Sequence, residues 1–155
     1  MTPEMFVTYV EEIAGQMHFP LDKVILGGDH LGPLTRSHQT EAEAMLFAEE
    51  LVRQYVAAGF TKIHLDTSMR LLDDDTSSQL SDAVIARRGA RLCVIAEQTY
   101  AARLRKHPDA LSQVYIIGSE VHIPGGAQEH EEGINVTRTA DNFTRSADGG
   151  RNITN

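Results

Sequence analysis

Three short apolar runs, Lys23–Leu26, Thr61–Leu65 and Val114–Ile117, alternate with longer stretches of helical periodicity. This alternation leaves few folds open. Strands that are apolar throughout are buried on both faces, and strands separated by helices pair in parallel. The helices then cross the sheet with right-handed connections. The predicted order is α-β-α-β-α-β with a weaker last helix, an α/β fold.

The helix boundaries carry capping chemistry. Thr2-Pro3-Glu4 supplies a cap, a proline for the first helical position and an acid for the first turn. Phe6, Tyr9, Val10 and Ile13 then form an apolar stripe, with Gly15 near the end. Thr40-Glu41 opens a second helix with a core stripe of Ala44, Phe47, Ala48, Leu51, Tyr55 and Ala58, closed by Gly59. Ser81-Asp82 caps a third that runs to about Arg105, with Gly89 as a weak point inside it. His107-Pro108-Asp109 breaks the chain before the third strand. A shorter helix is predicted over Thr137–Ser146, and "DGGRNITN" reads as a tail.

Composition narrows the function. The 155 residues suffice for one core, and the net charge of −8, with no Lys/Arg cluster, argues against nucleic acid or an anionic membrane as partner. Cys93 is the single cysteine, so neither an intrachain disulfide nor a thiolate zinc cluster forms; in "RLCVIAE" it reads as a buried, inert thiol. No run is apolar enough to span a bilayer, and the N-terminus has acids where a signal peptide has bases. A cytoplasmic location is expected, and the Asn-x-Thr triplets at Asn135, Asn142 and Asn152 are then not glycosylation sites.

In parallel sheets ligands gather at the carboxyl ends of the strands. There the sequence places Asp29-His30, His64 with Asp66, and Glu120 with His122. Asp29-His30 reads either as an acid/base beside a metal-binding imidazole or as polar residues closing a turn. Gly27 and Gly28 permit close backbone approach to a ligand. Gly32-Pro33 terminates the turn. Alternation puts His64 and Asp66 on one face, where His64 reads more simply as a hydrogen-bonded core histidine. Asp66-Thr67-Ser68 suits either a phosphate or sugar hydroxyl or an Asx turn. Glu120 is a second candidate metal ligand, ahead of His122 and His130, and Gly125-Gly126 suits a phosphate nest. "LLDDDTSS" reads as a solvated charge run, and His18, His38 and His107 as surface residues.

Three segments together, "VILGGDHLGP", "YVAAGFTKIHLDTSM" and "YIIGSEVHIPGG", resemble the GatZ/KbaZ family. Its members are the subunits of D-tagatose-1,6-bisphosphate aldolase described as non-catalytic, many once labelled tagatose-6-phosphate kinases. The resemblance covers residues 1–126, with 127–155 as a divergent C-terminal segment and tail. It implies a (β/α)₈ TIM barrel related to class II, zinc-dependent ketose-bisphosphate aldolases. By that likeness Asp29 is the acid/base and His30 and Glu120 bind zinc; Gly27, Gly28, Asp66, Ser68, Gly125 and Gly126, by their own chemistry, are the expected contacts to a sugar phosphate. The setting it implies is galactitol or N-acetylgalactosamine catabolism, with a catalytic aldolase subunit as partner.

The same likeness implies longer relatives, with strands before Met1 and beyond Gly126. This chain therefore reads as a barrel fragment whose zinc site is incomplete, since His30 and Glu120 fall short of three protein ligands. Three functions are expected in competition. The chain is an aldolase subunit serving a catalytic partner, an aldolase or 4-epimerase in its own right, or a binding module that stabilises an aldolase chain. An inactive truncated fragment is the fourth outcome.

Overall fold

The computed structural model describes residues 1–117. Helix α1 spans Pro3–Gln16, β1 Gly27–Leu31, α2 Glu41–Ala58, β2 Lys62–Leu65, α3 Asp82–Leu104 and β3 Val114–Ile117. The strands form one parallel sheet in the order β1-β2-β3. Each strand joins on the same side of the last, the singly wound order of a barrel wall rather than of a doubly wound sheet.

The caps form as their chemistry dictates. The Thr2 hydroxyl accepts from the Met5 N–H at 3.3 Å, and Pro3 occupies the first turn. Thr40 and Glu43 make a reciprocal capping box on α2. Gly59 closes that helix at φ 100°, a conformation that favours glycine. Ser81 caps α3.

Helices α2 and α3 pack on each other and on one face of the sheet. The core gathers Met45, Val52 and Val56 of α2, Leu92 and Ala96 of α3, and Leu31, Ile63 and Leu65 of the strands. Ala44 and Ala48 of the expected α2 stripe are fully buried, joined by Met45, Val52 and Val56, whereas Leu51, Tyr55 and Ala58 lie at the core's margin and the Phe47 ring lies under Arg36. On α1 only Ala14 is buried; Tyr9 and Ile13 are exposed, and Val7 reaches the core instead.

Two strand expectations need correction. Lys23 closes a 3₁₀ turn over Leu21–Lys23, and the paired strand starts only at Gly27. Pairing decides this: Gly27 lies opposite Lys62, the first residue of β2. Nor is the sheet buried on both faces. Its far face is uncovered among the described residues, and Val114 and Ile116 of β3 stay exposed on it.

The run Asp73-Asp74-Asp75 is likewise more than a solvated patch. Arg88 on α3 has no exposed surface. It donates to Glu41 at 2.8 Å and to Asp74 at 2.7 Å, while Asp73 caps the Glu41 N–H at 2.8 Å. A buried guanidinium needs such partners, because an unpaired buried charge is costly. The network ties the segment after β2 to the starts of both α2 and α3. Gly89, beside it, is buried, and its open side faces the Thr67 hydroxyl.

Arg87 and Arg88 beside Glu41 hold its carboxyl at about 2, against an ordinary 4.5. A carboxylate depressed in the folded state stabilises it above the unfolded value, and that contribution is lost as pH falls. Urea midpoints are therefore expected to decline from about pH 4.5 towards pH 2, and Glu41→Gln to flatten that part of the profile. Arg88→Met is expected to cost about 3–5 kcal/mol at neutral pH, since it strands the Asp74 carboxylate and leaves Glu41 with Arg87 alone. Gly89→Ala is expected to gain about 0.5–1 kcal/mol, because the added methyl meets Thr67 at ordinary contact distance.

Candidate functional site

The carboxyl end of β1 departs from regular strand geometry. Gly28 pairs with Ile63 and Leu31 with Leu65, so Asp29 and His30 together oppose the single residue His64. This is a β-bulge, a device that re-aims side chains. His30 absorbs the extra residue at φ 51°, a left-handed conformation that costs a non-glycine residue about 1–2 kcal/mol.

The bulge brings three polar side chains together on the uncovered face. Lys62 and His64 stand two residues apart on β2 and so share that face. Lys62 Nζ donates to Asp29 Oδ1 at 2.9 Å, and His64 Nδ1 lies 3.3 Å from the same oxygen. The His30 and His64 rings sit with centroids 4.6 Å apart, and the backbone N of His30 is 3.5 Å from His64 Nδ1. Asp29 and His30 are exposed, whereas His64 is 6% exposed. The hydrogen bond from Lys62 holds the Asp29 carboxyl below its usual value, aided by the Lys62 charge and by His64. Asp29 is therefore a carboxylate at neutral pH, able to accept a hydrogen bond from a ligand hydroxyl.

From the sequence alone His64 reads as a core histidine, and nothing singles out Lys62. The available signal was their spacing on one strand, the same alternation that linked His64 to Asp66.

The other candidates fall in different places. Gly28 leaves room that the Tyr55 ring occupies, with an added Cβ only 2.7 Å from it, and Gly27 faces the Lys62 stem at 3.0 Å. Gly32 is the close-approach glycine: a Cβ there would lie 1.8 Å from the Asp66 carbonyl oxygen. Asp66 is buried, and its Oδ1 accepts from the Ser68 N–H at 3.0 Å and hydroxyl at 2.7 Å, an Asx turn. Thr67 donates to the Ile85 carbonyl at 2.8 Å. Glu120, His122, Gly125, Gly126, His130 and the Thr137–Ser146 helix lie outside the described residues.

His30 has no set of converging ligands around it. Among the described residues no three of His, Cys, Asp and Glu group to hold a metal ion. Lys62 already neutralises the one carboxylate within reach. The described donor set does not fit zinc, and no step here is routed through it. Cys93 has its thiol pushed up by burial and by Glu97, in keeping with an inert side chain. The two clearest cavities, ≈ 240 Å³ beside Phe6, Tyr55 and Phe60 and an apolar ≈ 370 Å³ groove beside Val10, Ile13 and Met17, do not touch Asp29, His30 or His64. No helix among the described residues is long and apolar enough to cross a membrane.

Two stability measurements test this geometry. Gly32→Ala is expected to cost about 3 kcal/mol or more in urea unfolding, because the methyl would displace backbone. His30→Gly is expected to raise stability by about 1 kcal/mol by relieving the left-handed strain. A loss of similar size would mean that the imidazole is there for packing.

The described geometry has counterparts among known proteins. Residues 1–147 match the family described as D-tagatose-1,6-bisphosphate aldolase subunit GatZ/KbaZ-like. The chain also matches the crystal structure of a probable tagatose 6 phosphate kinase from Sinorhizobium meliloti 1021, at 46% identity and a TM-score of 0.64. That match covers 77% of this chain and 28% of the other. The alternating helices and parallel strands are part of a TIM barrel, and the chain spans about a quarter of that relative's length.

Proposed function

Since the chain belongs to the D-tagatose-1,6-bisphosphate aldolase subunit GatZ/KbaZ-like family, we propose that it serves ketose-bisphosphate cleavage as the subunit that supports a catalytic aldolase partner. The family match over residues 1–147 carries this reading. The kinase in the neighbour's name is a weaker guide. Among the described residues no glycine-rich loop leads from a strand into a helix N-terminus, the usual cradle for nucleotide phosphates.

A second reading has its own observation. Asp29 is held as an exposed carboxylate between Lys62 and His64, beside a strained His30. In a retro-aldol step such a group takes the hydroxyl proton as the carbon–carbon bond breaks, and the bonding pair passes to the ketose carbonyl carbon's side as an enediolate. The same step run in reverse on the other face of the aldehyde gives a 4-epimer. Asp66 and Ser68 are proposed to approach the sugar phosphate from the neighbouring strand end.

One experiment separates the two readings. The purified chain is mixed with a catalytic class II tagatose-bisphosphate aldolase subunit, and cleavage of D-tagatose 1,6-bisphosphate and the partner's melting temperature are followed. A supporting subunit raises the partner's activity or melting temperature, and Asp29→Asn retains the effect. A catalytic chain loses about 10²–10⁴-fold in turnover with Asp29→Asn. If the chain alters neither activity nor melting temperature and has no turnover, both readings fail.

A further inference from the structure

The bulge holds a second imidazole, His64, beside that of His30. We propose that Lys62 and His64 are positioning residues for Asp29, with His64 donating its Nδ1 proton to the carboxylate. The inference rests on Asp29 being the acid/base of the proposed reaction, but its geometry stands apart from that reading.

His64 Nδ1 faces two groups, the Asp29 carboxylate at 3.3 Å and the His30 backbone N–H at 3.5 Å. One ring nitrogen serves only one of them. Protonated, it donates to the carboxylate; unprotonated, it accepts from the amide. The charged partner wins, because a hydrogen bond to an ionised acceptor is about twice as strong as one between neutral groups. The amide contact is also at the limit of hydrogen-bonding distance.

The consequences follow from the shared oxygen. Lys62 and His64 both reach Asp29 Oδ1, from successive positions on one face of β2. An exposed aspartate otherwise samples several rotamers; two donors from a paired strand fix this one. The second carboxylate oxygen has no partner among the described residues and is left for a ligand. The bulge is what makes this possible, since regular pairing would place one residue, not two, opposite His64.

The test reads the resting chain first. Nitrogen-15 NMR of the histidine rings is expected to show His64 protonated at Nδ1, and Asp29→Ala to move the proton to Nε2. A proton already on Nε2 in the unaltered chain, or a tautomer indifferent to Asp29→Ala, overturns the proposal, whether or not any turnover is found. Where turnover is measured, His64→Asn keeps a donor near the Nδ1 position and His64→Leu removes it. His64→Leu is expected to lower kcat by about 10–100-fold with KM nearly unchanged, while His64→Asn stays within a few-fold of the original. Equal losses in both variants would assign His64 a packing role and sink the idea.

Discussion

The register of β1 on β2 governs everything at the strand ends. Leu31, Ile63 and Leu65 must all enter the core under α2 and α3, and a slip of one residue would turn each outward. Yet two residues of β1 fill the space opposite one residue of β2. The sheet accommodates the surplus by bulging, with His30 in a left-handed conformation. Core burial on one face thus supports strain on the other, where it sets Asp29 between Lys62 and His64. Strain maintained by the packing around it is characteristic of sites that position polar groups.

Two further constraints hold this end in place. Gly32 lets the exit of β1 run against the Asp66 carbonyl, which no residue with a Cβ would allow without displacement. Beyond Asp66, the buried Arg88 gathers Glu41 and Asp74, and Asp73 caps α2. The segment after β2 is therefore fastened to both flanking helices. The rigid parts surround the polar cluster, which itself remains open on the uncovered face of the sheet.

Helix ends were the most legible feature of the sequence, because capping is local chemistry. Thr2, Thr40, Ser81 and Gly59 each lie where their side chains or backbone freedom predict. The parallel order was legible too, since alternation leaves little choice. The start of β1 was not. Lys23–Leu26 has strand composition, but the partner strand fixes where pairing begins, and that is a nonlocal fact. Burial on both faces was inferred from apolar composition, which cannot reveal that one face of this sheet stands uncovered among the described residues. The Asp29-His30 pair was visible, yet its companions were not: Lys62 resembles any strand-entry lysine, and the value of His64 depends on a bulge that leaves no mark in composition. Arg88 and Asp74 are likewise charged residues whose burial only the tertiary structure reveals.

We propose that the bulged end of β1 is the place where a sugar phosphate would bind. Titrating D-tagatose 1,6-bisphosphate into the isotopically labelled chain and following backbone and imidazole NMR signals tests it directly. Saturable shifts centred on Asp29, His30 and His64 are expected. Shifts centred on the apolar groove beside Val10, Ile13 and Met17, or no shifts at all, would contradict it.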